Sequence, residues 1–263
     1  MSLLASASWL GGCGTVVPEI RDFGGRSDAD TNELVIAIVK SVRCEVKDAV
    51  IGVINADKAN AALNGFRSAK FFEQWGAQIA LTLQIDERTA LNPNAAFTPV
   101  SSIFSLAGGL SGSVAATRID KLNYFYSVRE LYGDGRQPCA PDSAPPRESL
   151  LIQSDLKLRE WLSAMITGVA TRNIVAIGAQ NVISHQVTFQ IVTTGTVTPT
   201  WKLVNATVNP GGPFLSTSRD RKHDLLVTFG PINKEAVASL VPIAESSHLS
   251  SQLASEINSR LRF

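Results

Sequence analysis

The chain has 263 residues, of which 44% are hydrophobic and 18% are charged, and its formal net charge is +1. This balance is typical of globular proteins and excludes the disordered class, whose chains combine few apolar residues with a large net charge. So small a net charge provides no field that attracts nucleic acid, and we expect no nucleic-acid partner. The chain has no run of 18 apolar residues, so a membrane-spanning helix is not expected.

The N-terminus carries a short apolar stretch, Leu3 to Leu10, and then two glycines and Cys13. The four residues Leu10-Gly11-Gly12-Cys13 resemble the lipobox of bacterial lipoproteins. In that motif a branched apolar residue and two small residues precede the cysteine that receives the lipid. The resemblance covers the first fourteen residues only.

This resemblance implies a protein of the cell envelope that is held at a membrane by a lipid anchor. Residues 1–12 would form the signal peptide and residues 13–29 a tether, with Cys13 as the lipidation site. Several acyl chains would give stable anchoring, because one chain alone binds a membrane only marginally. An Asp after the cysteine favours the inner membrane in Gram-negative members, so Gly14 implies the outer membrane, facing the periplasm.

The first element expected after the tether is a helix from about Thr31 to Ile54. Asp30 and Glu33 form a capping pattern at its start. Cys44 lies almost opposite the apolar side of this helix, where a core cysteine would not be placed, so we expect it to meet a segment crossing the outer face. The apolar residues recur at helical spacing and form one stripe: Leu34, Ile38, Val42, Val46, Val50 and Val53.

Two extended stretches predict a long antiparallel hairpin over residues 75–128. Apolar and polar residues alternate over 75–86, as in a strand with one buried face. A polar loop is expected over about 87–102. The second strand covers about 105–128, with its apolar residues at even positions. Two charged residues interrupt that face, so a bulge is expected near them: Arg118 and Asp120.

A segment rich in proline and polar residues, 134–149, is the predicted linker, and it contains Cys139. A disulfide between Cys44 and Cys139 would fix this linker to the polar face of the first helix. We favour the disulfide if the protein is exported, because export places the chain in an oxidising compartment. Two free thiols remain the alternative and would suit a cytosolic protein.

The second half begins with a predicted helix from about Asp155 to Val169, with Ser154 as its N-cap. Strands are expected at 187–191 and 225–229. A turn at Thr194-Gly195 is expected to begin a returning strand near 197–203.

A C-terminal helix is expected to begin near Ser246. Its apolar residues form a narrow stripe, and such a stripe more often packs on a sheet than lies on a membrane. We therefore expect four residues to face the core: Leu249, Leu253, Ile257 and Leu261.

Together these elements predict an α+β fold in which helices pack on antiparallel sheets in two subdomains. The first, residues 30–133, holds one helix and the long hairpin. The second, residues 150–263, holds helices and strands and ends in the C-terminal helix. The linker at 134–149 would join them.

The sequence contains no recognisable catalytic, metal-binding or cofactor-binding motif, and we expect no cofactor. The chain has three histidines, and no two of them have metal-ligand spacing. Two adjacent pairs have residue types that occur in catalytic triads, and we interpret them as ordinary polar contacts: Ser184-His185 and His223-Asp224. The mixed-charge segment from Arg219 to Asp224 is interpreted as an exposed hairpin loop.

Three functions follow as hypotheses. The first is a non-enzymatic envelope lipoprotein that binds or assembles with envelope proteins or with copies of itself. The second is a subunit of an oligomeric outer-membrane pore or secretion assembly that uses the 75–128 hairpin to cross the membrane. The third is an envelope hydrolase that uses His185 or His223.

Overall fold

The computed structural model of the chain confirms the α+β class, with two antiparallel sheets and five α-helices among the residues that it describes. Those residues are 17–18, 28–97, 105–133, 139, 149–171, 182–202, 206–233 and 239–260. The predicted signal peptide, residues 1–12, and the predicted lipidation site, Cys13, lie outside the described residues.

The helices are α1 (Asp28–Asn64), α2 (Val128–Gly133), α3 (Leu150–Gln153), α4 (Leu158–Ala170) and α5 (Pro242–Arg260), with a 3-10 helix at Lys70–Gln74. The strands are β1 (Trp75–Leu91), β2 (Asn94–Phe97), β3 (Leu106–Gly109), β4 (Gly112–Ser127), β5 (Ile183–Val197), β6 (Trp201–Lys202), β7 (Ala206–Val208) and β8 (Leu215–Pro231). The main sheet has the order β4-β1-β8-β5, and a second sheet has the order β3-β2-β7-β6.

The chain divides into two compact units, each built from separate stretches of sequence. The strand unit contains Met1–Ile20, Leu83–Asp120 and Gln190–Lys222. The helix unit contains Arg21–Thr82, Lys121–Phe189 and His223–Phe263. Both sequence halves contribute to both units, whereas the predicted subdomains were consecutive. The physical reason is the strand order, since β1 from the first half pairs with β8 from the second. Of the predicted linker, the structure describes Cys139 and Ser149.

Helix α1 confirms the predicted apolar stripe, because all six of its members are buried. The helix continues ten residues beyond the predicted end at Ile54. It ends at Gly65, which adopts a positive φ of 78° while its N–H donates to the carbonyl oxygen of Ala61 over 2.8 Å. Glycine adopts this left-handed conformation without a steric penalty, so it stops the helix cleanly.

The helix unit has helices on both faces of the sheet. On one face, the Arg43 guanidinium of α1 lies over the Tyr126 ring, and Trp161 of α4 packs against Phe229. On the other face, His248 of α5 contacts Thr228. Thr228 and Phe229 are neighbours in β8, and successive strand residues point to opposite faces. The arrangement is therefore helix, sheet, helix.

The glycine at position 76 is explained by the close approach of an aromatic ring to its Cα. A Cβ added to Gly76 of β1 would lie 2.4 Å from the ring of Phe125 on the neighbouring strand β4. The aromatic ring therefore occupies the space above the glycine, and no larger residue fits at position 76 without moving the ring.

In the strand unit, the predicted polar loop at 87–102 is partly strand. β1 continues to Leu91, and β2 follows after two residues. β2 pairs with β3 on one side and with β7 on the other, which builds the second sheet. The N–H of Asn209 also donates to the carbonyl oxygen of Asn94 over 2.7 Å. This long-range pairing with a distant segment outweighs the local turn signal.

Three further local predictions are wrong. Ser154 follows α3 as its C-cap, and α4 begins after Lys157. The turn predicted at Thr194-Gly195 lies within β5, which continues to Val197. The segment from Arg219 to Asp224 is the interior of β8 and not an exposed loop, since Arg221 is 7% exposed and His223 is 2% exposed. Strand pairing decides the last two cases.

The stripe predicted to bury α5 is also wrong. Leu249, Leu253 and Ile257 are each about half exposed, and Leu261 lies outside the described residues. The helix instead turns Ala244 and His248 inwards, and both are fully buried. The side of the helix that packs on the sheet also hydrogen-bonds to it, since His248 Nδ1 lies 2.8 Å from Thr228 Oγ1.

Candidate functional site

The candidate site is formed by the two open edges of the main sheet. Its order places β4 at one edge and β5 at the other. In the part of the chain that the structure describes, no strand pairs with the outer side of either one. Such an edge presents a row of unpaired N–H and C=O groups and is a template for another strand.

The β5 edge has no feature that discourages pairing. Its fifteen residues, ISHQVTFQIVTTGTV, include no Lys, Arg, Asp, Glu or Pro. Natural proteins block open edges with charged residues, with proline, with bulges or by shortening the strand. Neither charge nor proline therefore blocks the addition of another strand to this long edge.

The β4 edge carries three charged residues near its centre, and each of them is already paired within the chain. Arg118 binds Asp120 over 2.8 Å, and Lys121 forms an ion pair with Glu256 of α5. These pairs lower the electrostatic cost of bringing a neutral strand alongside. The rest of the strand consists of apolar, hydroxyl and amide residues, with one glycine.

Exposed apolar side chains of the main sheet lie on its edge strands. Val114 and Ile119 of β4 and Val192 and Val197 of β5 are between 42% and 58% exposed. Among the described residues, no large apolar side chain of β1 or β8 is exposed. All four are β-branched residues of the strand unit, and such residues pack well against a neighbouring strand.

The two cysteines of the described chain come together. The Cα atoms of Cys44 on α1 and Cys139 lie 5.4 Å apart, within the range found for disulfides. Cys44 is half-buried on the outer side of the helix, as the sequence predicts. The disulfide itself stays a prediction that thiol chemistry must test.

The residue pairs weighed as catalytic do not assemble into a triad. Ser184 and His185 are consecutive in β5, and His223 and Asp224 are consecutive in β8, so the members of each pair point to opposite faces. The Nε2 of His185 instead lies 3.0 Å from the carbonyl oxygen of Leu156. Asp224 accepts hydrogen bonds from Gln186, Thr188 and Ser255.

Sequence reasoning missed one hydroxyl–imidazole chain. Ser184 Oγ lies 2.9 Å from Thr228 Oγ1, which lies 2.8 Å from His248 Nδ1. Thr228 and His248 are fully buried, so no substrate reaches them. Burial also lowers the pKa of His248 to about 4, because the charged imidazolium would lose its hydration. These hydrogen bonds between Ser184, Thr228 and His248 therefore attach α5 to the sheet.

The helix unit also has an open groove of about 620 Å³ beside Phe71, Glu73 and Arg129. Glu73 is bound there by Arg67 over 2.6 Å, so its charge is already compensated. The same arginine binds Asp57 over 2.8 Å, and this network holds the turn after α1.

No three His, Cys, Asp or Glu side chains of the described residues are grouped so that they could hold a metal ion. No helix in them combines the length and apolar character needed to cross a membrane.

Comparisons with known proteins give no family for this chain. No family model and no curated protein matches it. Among solved structures, the secretin-domain β-barrel of InvG from the Salmonella SPI-1 injectisome is similar at 10% identity, covering 69% of each chain with a TM-score of 0.14. The Salmonella secretin InvG (residues 176–end) in the open gate state is similar at 11% identity, covering 69% of this chain and 66% of that one, also with a TM-score of 0.14. Likenesses this weak carry no argument about fold or function.

Proposed function

We propose that the protein is a non-enzymatic, lipid-anchored component of the cell envelope that assembles with protein through the edges of its main sheet. The observation that carries this proposal is the β5 edge, which has fifteen residues and neither charge nor proline. An extended partner adds a strand to such an edge. Backbone hydrogen bonds then supply affinity, and side chains on alternate positions supply specificity.

The location in the proposal rests on the N-terminal residues and on the two other cysteines. Leu10-Gly11-Gly12-Cys13 resembles a lipobox, and lipid on Cys13 would hold the protein at a membrane. The proximity of Cys44 to Cys139 is what an oxidising compartment such as the periplasm would turn into a disulfide. Lipidation of Cys13 would leave those two cysteines to pair with each other.

The second candidate is a pore or secretion subunit, and the length of the paired strands favours it. β1 has seventeen residues and β4 sixteen, whereas about 9–11 residues suffice to cross a bilayer. The charges oppose a direct contact with lipid. Asp86, Glu87 and Arg88 are consecutive in β1, so charged side chains occupy both faces. Conductance in planar bilayers would support this candidate over the first.

Metabolic labelling with a palmitate analogue tests the anchor. Wild-type protein should incorporate the label, and Cys13→Ser should not. Label that persists in the variant, or that is absent from wild type, would contradict the anchor. Assembly with protein is tested separately by crosslinking envelopes and purifying the full chain. The wild type should give crosslinked species that a variant with lysines at Val192 and Val197 loses.

A further inference from the structure

We infer that the exposed apolar face of the second sheet is a surface that contacts the hydrocarbon region of a phospholipid bilayer. The second sheet lies wholly within the strand unit, and its order is β3-β2-β7-β6. This contact goes beyond the proposed function, since it requires neither lipid on Cys13 nor a strand added to the main sheet.

Strand register places the apolar residues of the second sheet on one face. Directly paired residues share a face, and Phe97 of β2 pairs with Leu106 of β3 and with Ala206 of β7. Residues two positions apart in a strand share that face as well. Val208 therefore lies on the same face as Ala206, and it pairs with Trp201 of β6. The face, called the apolar face below, has these side chains: Ala95, Phe97, Leu106, Trp201, Ala206 and Val208.

The three largest side chains of the apolar face are exposed. Leu106 is 60% exposed, Phe97 is 46% exposed and Trp201 is 47% exposed. The Trp201 ring meets the ring of Phe214 edge-on, with 5.8 Å between the ring centroids, so its position on the sheet is supported. Single exposed apolar residues need no explanation, whereas a contiguous group on one sheet face marks a contact surface.

The sequence that contains the second sheet is almost without charge. Residues 89–117 include no Lys, Arg, Asp or Glu, and residues 190–218 include Lys202 alone, although 18% of the whole chain is charged. Charged side chains are costly to transfer into hydrocarbon, so this depletion favours lipid as the contact. Tryptophan is common at the membrane–water interface, which fits Trp201. The long side chain of the adjacent Lys202 can extend to headgroup phosphates.

A protein partner fits the apolar face less well. Protein interfaces surround an apolar centre with a polar rim and form about one hydrogen bond per 100–200 Å². In the described part of the second sheet, the side chains of the apolar face offer one hydrogen-bonding group, the indole N–H of Trp201. A bilayer interior requires no hydrogen bonds from the side chains that enter it. Lipid is therefore the occupant that the chemistry of this face favours.

Vesicle binding by the full chain with Cys13→Ser, called the parent, tests the inference, because no lipid anchor then contributes. The face variant adds Leu106→Glu and Trp201→Glu to the parent. These residues lie on the outer strands β3 and β6, so the new charges do not face each other across a strand pair. The matched control adds Leu63→Glu and Phe66→Glu, which change the net charge equally. Both control residues belong to the helix unit and are more exposed, at 84% and 68%.

Co-sedimentation with phosphatidylcholine vesicles is the first readout. The parent and the control should bind equally, and the face variant should bind about tenfold more weakly or less, because glutamate opposes transfer into hydrocarbon. Adding phosphatidylglycerol to the vesicles should strengthen binding by only about fivefold, the effect of one lysine near an anionic surface. Equal binding by the face variant, or binding that requires phosphatidylglycerol, would overturn the inference.

Quenching of tryptophan fluorescence by brominated phosphatidylcholine is a second readout, and it does not depend on the folding of the face variant. Trp201→Phe keeps an aromatic ring on the apolar face, so this variant should still sediment with vesicles while its quenching falls below that of the parent. Undiminished quenching would place Trp201 outside the bilayer and overturn the inference. A face variant that binds vesicles normally but loses envelope crosslinks would assign the face to a protein partner and also overturn it. A wild type that takes up no palmitate analogue would refute the anchor and leave this inference standing.

Discussion

Removal of Cys44 or Cys139 should destabilise the protein strongly if the two are bonded. The structure places their Cα atoms 5.4 Å apart at a sequence separation of 95 residues. Closing a loop of that length removes conformational entropy from the unfolded chain. In the chain-entropy model the effect is worth about 4–5 kcal/mol, and measured losses on removing native disulfides are about 2–5 kcal/mol.

The assay compares Cys44→Ala, Cys139→Ala and the double variant by urea unfolding, with and without reductant. A bond is lost completely when either partner is removed, so each single variant should lose as much free energy of unfolding as the double variant. Reductant should bring wild type to the same stability. Two free thiols would instead give small losses that add in the double variant.

A wild-type unfolding midpoint that reductant leaves unchanged would contradict the disulfide. Two free thiols found by mass spectrometry, in protein taken from the envelope under non-reducing conditions, would contradict it as well. Cys13→Ser is the matched control for general effects of cysteine removal, since it should leave the free energy of unfolding of the folded domain unchanged.

Two further predictions concern the helix unit. The pKa of His248 is about 4 in the folded state and 6.5 in the unfolded chain. Protonation therefore favours the unfolded chain, so the free energy of unfolding is highest above pH 6.5 and decreases as the pH falls towards 4. The difference is at most about 3 kcal/mol, and His248→Asn, which cannot titrate, should flatten that part of the pH profile in urea unfolding. Gly76→Ala should lower the free energy of unfolding by about 1–3 kcal/mol, because the new Cβ meets the Phe125 ring. Adding Phe125→Ala should remove much of that penalty, and a penalty that persists in full would refute the steric explanation.

Local sequence patterns predicted some elements well, for a simple physical reason. The stripe of α1 and the alternation of β1 arise from residues close together in the chain, and each has one favourable way to bury its apolar side. Leu34 and Val50 are buried in α1, and Ile79 and Leu83 are buried in β1. The placement of Cys44 away from the core follows from the same helical period.

Long-range pairing decided what local patterns could not. The local sequence predicts a turn at Gly195. The residue lies within β5 instead, because the pairing of β5 with β8 continues past it. The charged segment around Arg221 reads as a loop, yet it is strand. The apolar stripe of α5 is exposed because the other side of the helix hydrogen-bonds to β8 through His248 and Ser255. These contacts could be known only from the residues of a distant strand.

The sequence by itself therefore determined the class of fold, the elements with a strong period and the chemistry of each strand, including the lack of charge in β5. The tertiary structure decided which strands became edges. That decision depends on sheet order, in which β1 and β8 pair with neighbours on both sides and leave β4 and β5 with one side open. Sheet order is set by contacts between residues far apart in the chain, and a local sequence pattern cannot predict those contacts.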